Sequence, residues 1–203
     1  MTPKIIAVTQ RVDVIAGRDE RRDALDQRWI DFLQALNCQM LVLPNSVKMA
    51  HSLLERVQPD GIVLTGGNDL CDLGGDAPER DDTERMAIDW ATERRVPLLA
   101  VCRGLQLLVH HLSGTLKRID GHVAKRHDVV MGKHAQSVNS FHNWGIEHLP
   151  PTLSILGRAA DGEIEAVQHV DLPIVGVMWH PERDAPFRAH DLELVGKLFE
   201  GRA

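Results

Sequence analysis

Cysteine is scarce in this sequence: Cys38, Cys71 and Cys102 are odd in number and far apart. That excludes a disulfide framework and any CxxC metal or redox motif, and it predicts a reducing, cytoplasmic setting. Long apolar runs are also missing. The amino-terminal MTPKIIAVTQRVD holds only a short one, and no window approaches the roughly 18 apolar residues of a membrane span. A soluble, unprocessed chain is expected. Basic residues are in deficit, with 23 Lys and Arg against 29 Asp and Glu and a net charge of -6. Neither nucleic acid nor an anionic membrane is therefore expected as a partner, and any basic site must be local. Internal repeats, low-complexity tracts and long linkers are lacking too.

The 203 residues, 43% of them hydrophobic, suffice for one well-buried core and are short for two, so a single domain over 1–203 is expected. Apolar strands are predicted at Ile5 to Val8, Met40 to Leu43, Gly61 to Leu64 and Leu98 to Val101. Helices are predicted at Asp23 to Leu36, from Asn45 or Ser46 to about Val57, at Asp82 to Arg95 and at Arg103 to Leu112. The alternation argues a parallel sheet covered on both faces. After Gly114 the pattern turns to short β-like runs, near Thr115 to Ile119, Val129 to Met131, Gln136 to Asn139, Leu153 to Leu156 and Glu163 to Val167. Another apolar strand at Ile174 to Trp179 and a helix at Leu192 to Phe199 follow. The fold class is α/β: a flavodoxin-like open, mostly parallel sheet with helices on both faces and an antiparallel extension in its carboxyl-terminal half. The segment 72–82, rich in Gly, Pro and charge, reads as a mobile loop.

In PLLAVCRG, a strand delivers Cys102 onto a sharp turn that opens a helix at Arg103. Gly104 permits the tight backbone, and the free N–H groups of the helix start favour negative charge on the sulfur. A lone cysteine in an apolar run is by itself a packing residue; its surroundings decide. Ligands in open α/β sheets sit outside the carboxyl ends of the strands. One such end carries Gly66-Gly67, whose bare backbone can approach a ligand and whose Gly67 N–H can serve an oxyanion. Another carries His180-Pro181-Glu182: Pro181 biases His180 to extended backbone, so that His180 and Glu182 share a side. A turn and a solvated loop are the plain readings of these two pieces. Together with Cys102 they supply nucleophile, base, orienting carboxylate and oxyanion donors.

These residues resemble the class I glutamine amidotransferases, and within them the γ-glutamyl hydrolase-like branch. The resemblance rests on LTGGND at 64–69, AVCRGLQ at 100–106, VNSFHNWGIEHL at 138–149 and GVMWHPER at 176–183, in the family's order and spacing over nearly the whole chain. Within that branch, the early TQR at 9–11, GGNDL and VNSFHN resemble the short γ-glutamyl-CDP-amidate hydrolases of phosphoramidate and capsule assembly.

The resemblance implies Cys102 as nucleophile, His180 as its base and Glu182 as the group orienting His180. It implies an oxyanion hole from the backbone N–H groups of Gly67 and Arg103, and contact of Gln106 with the glutamyl moiety. The backbone of Ser140, Phe141 and His142 would hold the substrate α-carboxylate. The implied reaction is cofactor-free acyl transfer through a glutamyl thioester. Two departures stand out: Asn68 lies where many synthase-coupled members carry proline, and Ala100 replaces the first glycine of the general nucleophile elbow.

The leaving group is less legible. Arg11, just past the first strand, and the cluster Arg18, Arg21 and Arg22 are candidates for a phosphate-bearing leaving group, because a guanidinium binds phosphate through a charge-assisted fork. A solvated charged loop is the competing reading for the cluster. Trp144, beside His142 and Asn143, and Trp179, beside His180, are candidates for lining the site, whereas Trp29, Phe32 and Trp90 fall on core stripes. The 11 histidines include His110, His111, His122, His127 and His134 in one region. No HExxH or regular Cys/His spacing occurs, so no metal site is expected. Only four residues follow Phe199, so a free-standing hydrolase is expected over an ammonia-donating subunit that needs a synthetase partner. The alternatives are a hydrolase of small γ-glutamyl amides, a catalytically silent binding module and a glutaminase subunit.

Overall fold

The computed structural model describes residues 2–201. Strand β1 (Lys4–Val8) leads into a hairpin of β2 (Arg11–Ile15) and β3 (Glu20–Ala24), followed by α1 (Arg28–Ala35), β4 (Cys38–Val42), α2 (Val47–Val57) and β5 (Gly61–Leu64). Next come α3 (Pro78–Arg94), β6 (Leu98–Val101) and α4 (Arg103–His111). The remainder is β7 (Thr115–Arg118), β8 (Val123–Met131), β9 (His134–Phe141), β10 (Trp144–His148), β11 (Leu153–Ala159), β12 (Ile164–His169), β13 (Ile174–Val177) and α5 (Ala189–Phe199).

Nine strands form one sheet in the order β4-β1-β5-β6-β13-β12-β11-β8-β9. The first five run parallel, and from β12 onward each pairing is antiparallel. This is the expected α/β architecture with its antiparallel extension. Period-two alternation divides the core between the two faces. Ala7, Ile62, Leu64, Leu98 and Ala100 pack against α2, α3 and α4. Their neighbours Ile6, Val8, Val63, Leu99 and Val101 pack with α1 and α5. Trp29, Phe32 and Trp90 are buried in the core as expected, and Trp29 also borders a recess at the carboxyl ends of the strands. No helix among the described residues is long and apolar enough to cross a membrane.

The structure corrects three local expectations. Residues 11–24 form the β2–β3 hairpin, so the first helix begins at Arg28 rather than Asp23. Asp23 is held in the strand, where its carboxylate accepts from the backbone and side-chain amides of Asn45 at 2.9 and 2.8 Å. Strands β7 and β10 pair with each other outside the main sheet. Segment 72–82 is not one loop: α3 starts at Pro78, whose fixed φ suits a first helical turn. Arg80 and Asp81 on that turn are wholly buried.

Candidate active site

Strands β1, β5, β6 and β13 are neighbours, and their carboxyl ends present, in turn, Arg11, Gly66-Gly67, Cys102 and His180. Register makes this so: Leu64 pairs with Ala100, and Val101 pairs with Val177. The Cys102 N–H then donates to the Val177 carbonyl at 2.7 Å. Cys102 caps α4 with φ 52° and ψ -108°, a strained conformation that costs of order 1–3 kcal/mol and persists only where its surroundings enforce it. Gly104 is one such constraint, because a Cβ there would lie 2.5 Å from the Leu64 carbonyl oxygen. Ala100 sits in β6, paired with Leu64.

His180 has the extended backbone that Pro181 favours, φ -108° and ψ 95°. Glu182 lies in a short 3-10 turn, Pro181–Arg183, rather than in an extended segment. Even so, His180 Nδ1 and Glu182 Oε1 are 2.8 Å apart, and both residues are buried. With Nδ1–H donated to the carboxylate, Nε2 is the ring nitrogen left for Cys102. Burial opposes charge on the ring, but the Cys102 sulfur, by charge and hydrogen bond, and then Glu182 outweigh it, so His180 is pushed up to about 9. Gly66 gives the ring its floor: a Cβ there would fall 2.5 Å from His180 Cε1. Phe141 meets the ring edge-on, with centroids 5.9 Å apart. Asn139 clamps the His180 backbone, its Oδ1 accepting from the N–H at 2.9 Å and its Nδ2 donating to the carbonyl at 2.8 Å.

A buried ionic lattice on α3, absent from the sequence expectations, supports this end of the sheet. Arg80 donates to the carbonyls of Thr65 at 2.7 Å, Gly66 at 3.0 Å and Gly67, and to Glu84 at 3.0 Å. Arg103 is gripped through its side chain by Glu84 and Asp81. Thr9 Oγ1 donates to Glu84 at 2.7 Å and accepts from the Thr65 N–H at 3.1 Å. Asn68 bonds both backbone groups of Val12 at 2.9 Å, which sews the β2–β3 hairpin to the Gly66-Gly67 turn. Proline at 68 could make neither bond.

A recess of about 390 Å³ opens beside the pair, lined by Arg11, Asp13, Asp26, Gly67, His180 and Glu182 among others. Arg11 thus borders the recess, its Nε paired with Asp13 at 2.7 Å; Cys102 does not line it. Arg21 and Arg22 are spent on Glu79 and Glu20, and neither they nor Arg18 lines the recess. Gln106 is buried and donates to the Trp144 carbonyl at 3.3 Å. Ser140 is buried with Oγ on the His122 carbonyl at 2.6 Å, and His142 is buried with Nδ1 3.0 Å from the Trp144 carbonyl. Asn143 is exposed, and Trp144 is half-buried beneath Arg118. Trp179 does not line the recess: it is fully buried in the core and donates its indole N–H to Asp191 at 3.1 Å.

A cysteine on a strand-to-helix turn, a paired His and Glu beyond the next strand and a mixed sheet between helical layers define a class of protein. The chain belongs to the family described as Glutamine amidotransferase class-I, whose model matches residues 22–194. Among individual proteins, it is 34% identical to the Gamma-glutamyl-CDP-amidate hydrolase of Campylobacter jejuni subsp. jejuni serotype O:2, over 88% of this chain and 90% of that one. It is 33% identical to the Gamma-glutamyl-gamma-aminobutyrate hydrolase PuuD of Escherichia coli K12, over 74% of each. The fold resembles that of a glutamine amidotransferase from Thermotoga maritima, with TM-score 0.68 and 16% identity over 100% of this chain and 86% of that one.

Proposed function

We propose that this protein is a cysteine hydrolase of γ-glutamyl C–N bonds, with Cys102 as nucleophile, His180 as acid and base, and Glu182 as its orienting carboxylate. The observation that carries this reading is the buried His180–Glu182 pair at 2.8 Å, set beside a cysteine held in a strained turn at the start of a helix. The sulfur adds to the γ-carbonyl, and the Gly67 and Arg103 N–H groups stabilise the oxyanion. Such a donor is typically worth about 2.7–4 kcal/mol in the transition state. The C–N bond breaks as His180 gives its proton to the leaving nitrogen, leaving a glutamyl thioester. His180 then takes a proton from water as the water attacks, and glutamate departs. Gln106 and the backbone of Ser140 and Phe141 hold the glutamyl end, the His142 N–H being donated to the His122 carbonyl at 3.1 Å.

γ-Glutamyl-CDP-amidate is the proposed substrate. Support comes from the 34% identity to a protein of that name and from Arg11 in a recess large enough for part of a nucleotide. The test is glutamate release by the purified protein alone from γ-glutamyl-CDP-amidate, γ-glutamyl-aminobutyrate and glutamine. Marked preference for the nucleotide conjugate is the expected result. Preference for the small amide would transfer the assignment to γ-glutamyl catabolism. Release only from glutamine, stimulated by a synthetase, would identify a glutaminase subunit.

A further inference from the structure

Away from Cys102, three histidines meet one buried acid. Glu165 on β12 is wholly buried, and its Oε1 lies 3.1 Å from His122 Nδ1, 3.4 Å from His127 Nε2 and 3.4 Å from His142 Nε2. His122 Nδ1 and His142 Nε2 are themselves 3.3 Å apart. Among the described residues, neither carboxylate oxygen of Glu165 nor His127 Nε2 has an aligned hydrogen-bond partner. Leaving a buried charged group in that state costs more than about 1–3 kcal/mol.

The outward-facing atoms determine which way the lone pairs point. His122 Nε2 is 2.8 Å from the Asp161 carboxylate, and His142 Nδ1 is 3.0 Å from the Trp144 carbonyl. Both partners can only accept, so the ring N–H groups point outward. With neutral rings, the inner nitrogens, His122 Nδ1 and His142 Nε2, turn lone pairs toward each other and toward a carboxylate, an arrangement that either a metal ion or shared protons at its centre would satisfy. Outer-shell acceptors of this kind are what metal-bound histidines use to fix their tautomer. Donors held about 2.0–2.1 Å from a tetrahedral zinc ion stand roughly 3.3–3.4 Å apart, close to the 3.1–3.4 Å between Glu165 and each histidine and between His122 and His142.

We propose that His122 Nδ1, His127 Nε2 and Glu165 bind a divalent transition-metal ion of the zinc type, with His142 Nε2 as the fourth donor. The ligand atoms of the first three all fall within 4.8 Å of one another. His142 touches two of them. No spacing motif announces the site, because its ligands come from the approach to β8, from β8, from the end of β9 and from β12. An ion there pins the Ser140–Phe141–His142 segment to the sheet as a structural clamp. The proposal does not depend on the chemistry assigned to Cys102.

The test uses untagged full-length protein from zinc-supplemented medium, measured by elemental analysis, together with the Cys102→Ser, His127→Gln and Asp161→Asn variants. Stoichiometric zinc is expected in wild type and in Cys102→Ser, which removes the Cys102 thiol as a competing donor. It should be lost in His127→Gln, whose side chain, 19% exposed, is the least buried of the four and tolerates the change without unfolding. Asp161→Asn should weaken zinc binding by about 10- to 100-fold. Chelation should lower Tm and zinc should restore it, and Co(II) in Cys102→Ser should show the visible bands of a tetrahedral site. Wild-type zinc content no higher than that of His127→Gln, with Tm indifferent to chelator and zinc, would overturn the proposal in favour of a cluster held by shared protons.

Discussion

Arg80 donates to the carbonyl oxygen of Gly66 at 3.0 Å from a fully buried position. A trans peptide carries its C=O and N–H on opposite sides, so this bond turns the Gly67 N–H away from α3. The same guanidinium holds the carbonyls of Thr65 and Gly67. One side chain therefore sets the plane of successive peptides at the turn proposed to stabilise the oxyanion. Through Glu84, which also grips Arg103, it ties that turn to the helix that follows Cys102.

Replacing Arg80 should separate its two contributions. Arg80→Ala leaves three carbonyls without their donor and Glu84 with only Arg103 and Thr9, and should lower stability by about 3–5 kcal/mol, the usual cost of breaking a buried ion pair, read from the urea midpoint. Arg80→Lys keeps the charge but not the fork. We expect kcat to fall by about 10²–10³, as for loss of an oxyanion donor, with KM little changed. A normal kcat in Arg80→Lys would separate the lattice from catalysis.

At Gly66 the imidazole of His180 lies against bare backbone, 2.5 Å from where a Cβ would stand. Gly66→Ala must displace the ring. Misplacement by about 1 Å can cost on the order of 10²-fold in rate. Turnover should drop by that order while the circular dichroism spectrum is unchanged.

The pH dependence follows from the raised His180. Its pKa stands near 9 against an ordinary 6.5, so the stability gained from charging the ring is fully present below about 6.5 and is lost as pH rises through about 9. Because the Cys102 sulfur is the leading cause that raises it, Cys102→Ser should lower the His180 pKa. An ¹⁵N NMR titration of the imidazole reads this directly, and an unchanged value in the serine variant would show that Glu182 alone sustains the charge.

Thiol chemistry should single out Cys102. Burial pushes the Cys38 thiol up, and burial followed by the nearby Asp81 carboxylate pushes up Cys71, so both should alkylate slowly at neutral pH. A γ-glutamyl chloroketone should label Cys102 alone, as mapped by peptide mass spectrometry. Cys102→Ala should abolish turnover, whereas Cys38→Ala and Cys71→Ala should retain it. Folded protein that escapes labelling would point to a silent binding module.

Much of the parallel half is legible in the sequence because buried strands read as apolar runs and amphipathic helices show their stripe. Gly61–Leu64 and Leu98–Val101 match the predicted bounds. The β2–β3 hairpin escapes such a reading although Val12 and Val14 alternate with polar residues and Gly17 takes a positive φ at the turn. Its strands are largely exposed, with Val12 alone buried. The first turn of α3 escapes it because Arg80, Asp81 and Glu84 read as solvated charge, and only their mutual pairing makes their burial tolerable.

Local pattern sets where strands stop, and so the chain order alone shows which strand ends carry Cys102, Gly66-Gly67 and His180; the family motifs are written there too. Which charged residues are buried, and what they hold, emerges only on folding. Arg11 reaches the recess while Arg18, Arg21 and Arg22 do not, and Glu165 gathers histidines from several strands. Such pairings are set by register and topology, which join residues far apart in the chain. No local periodicity encodes them.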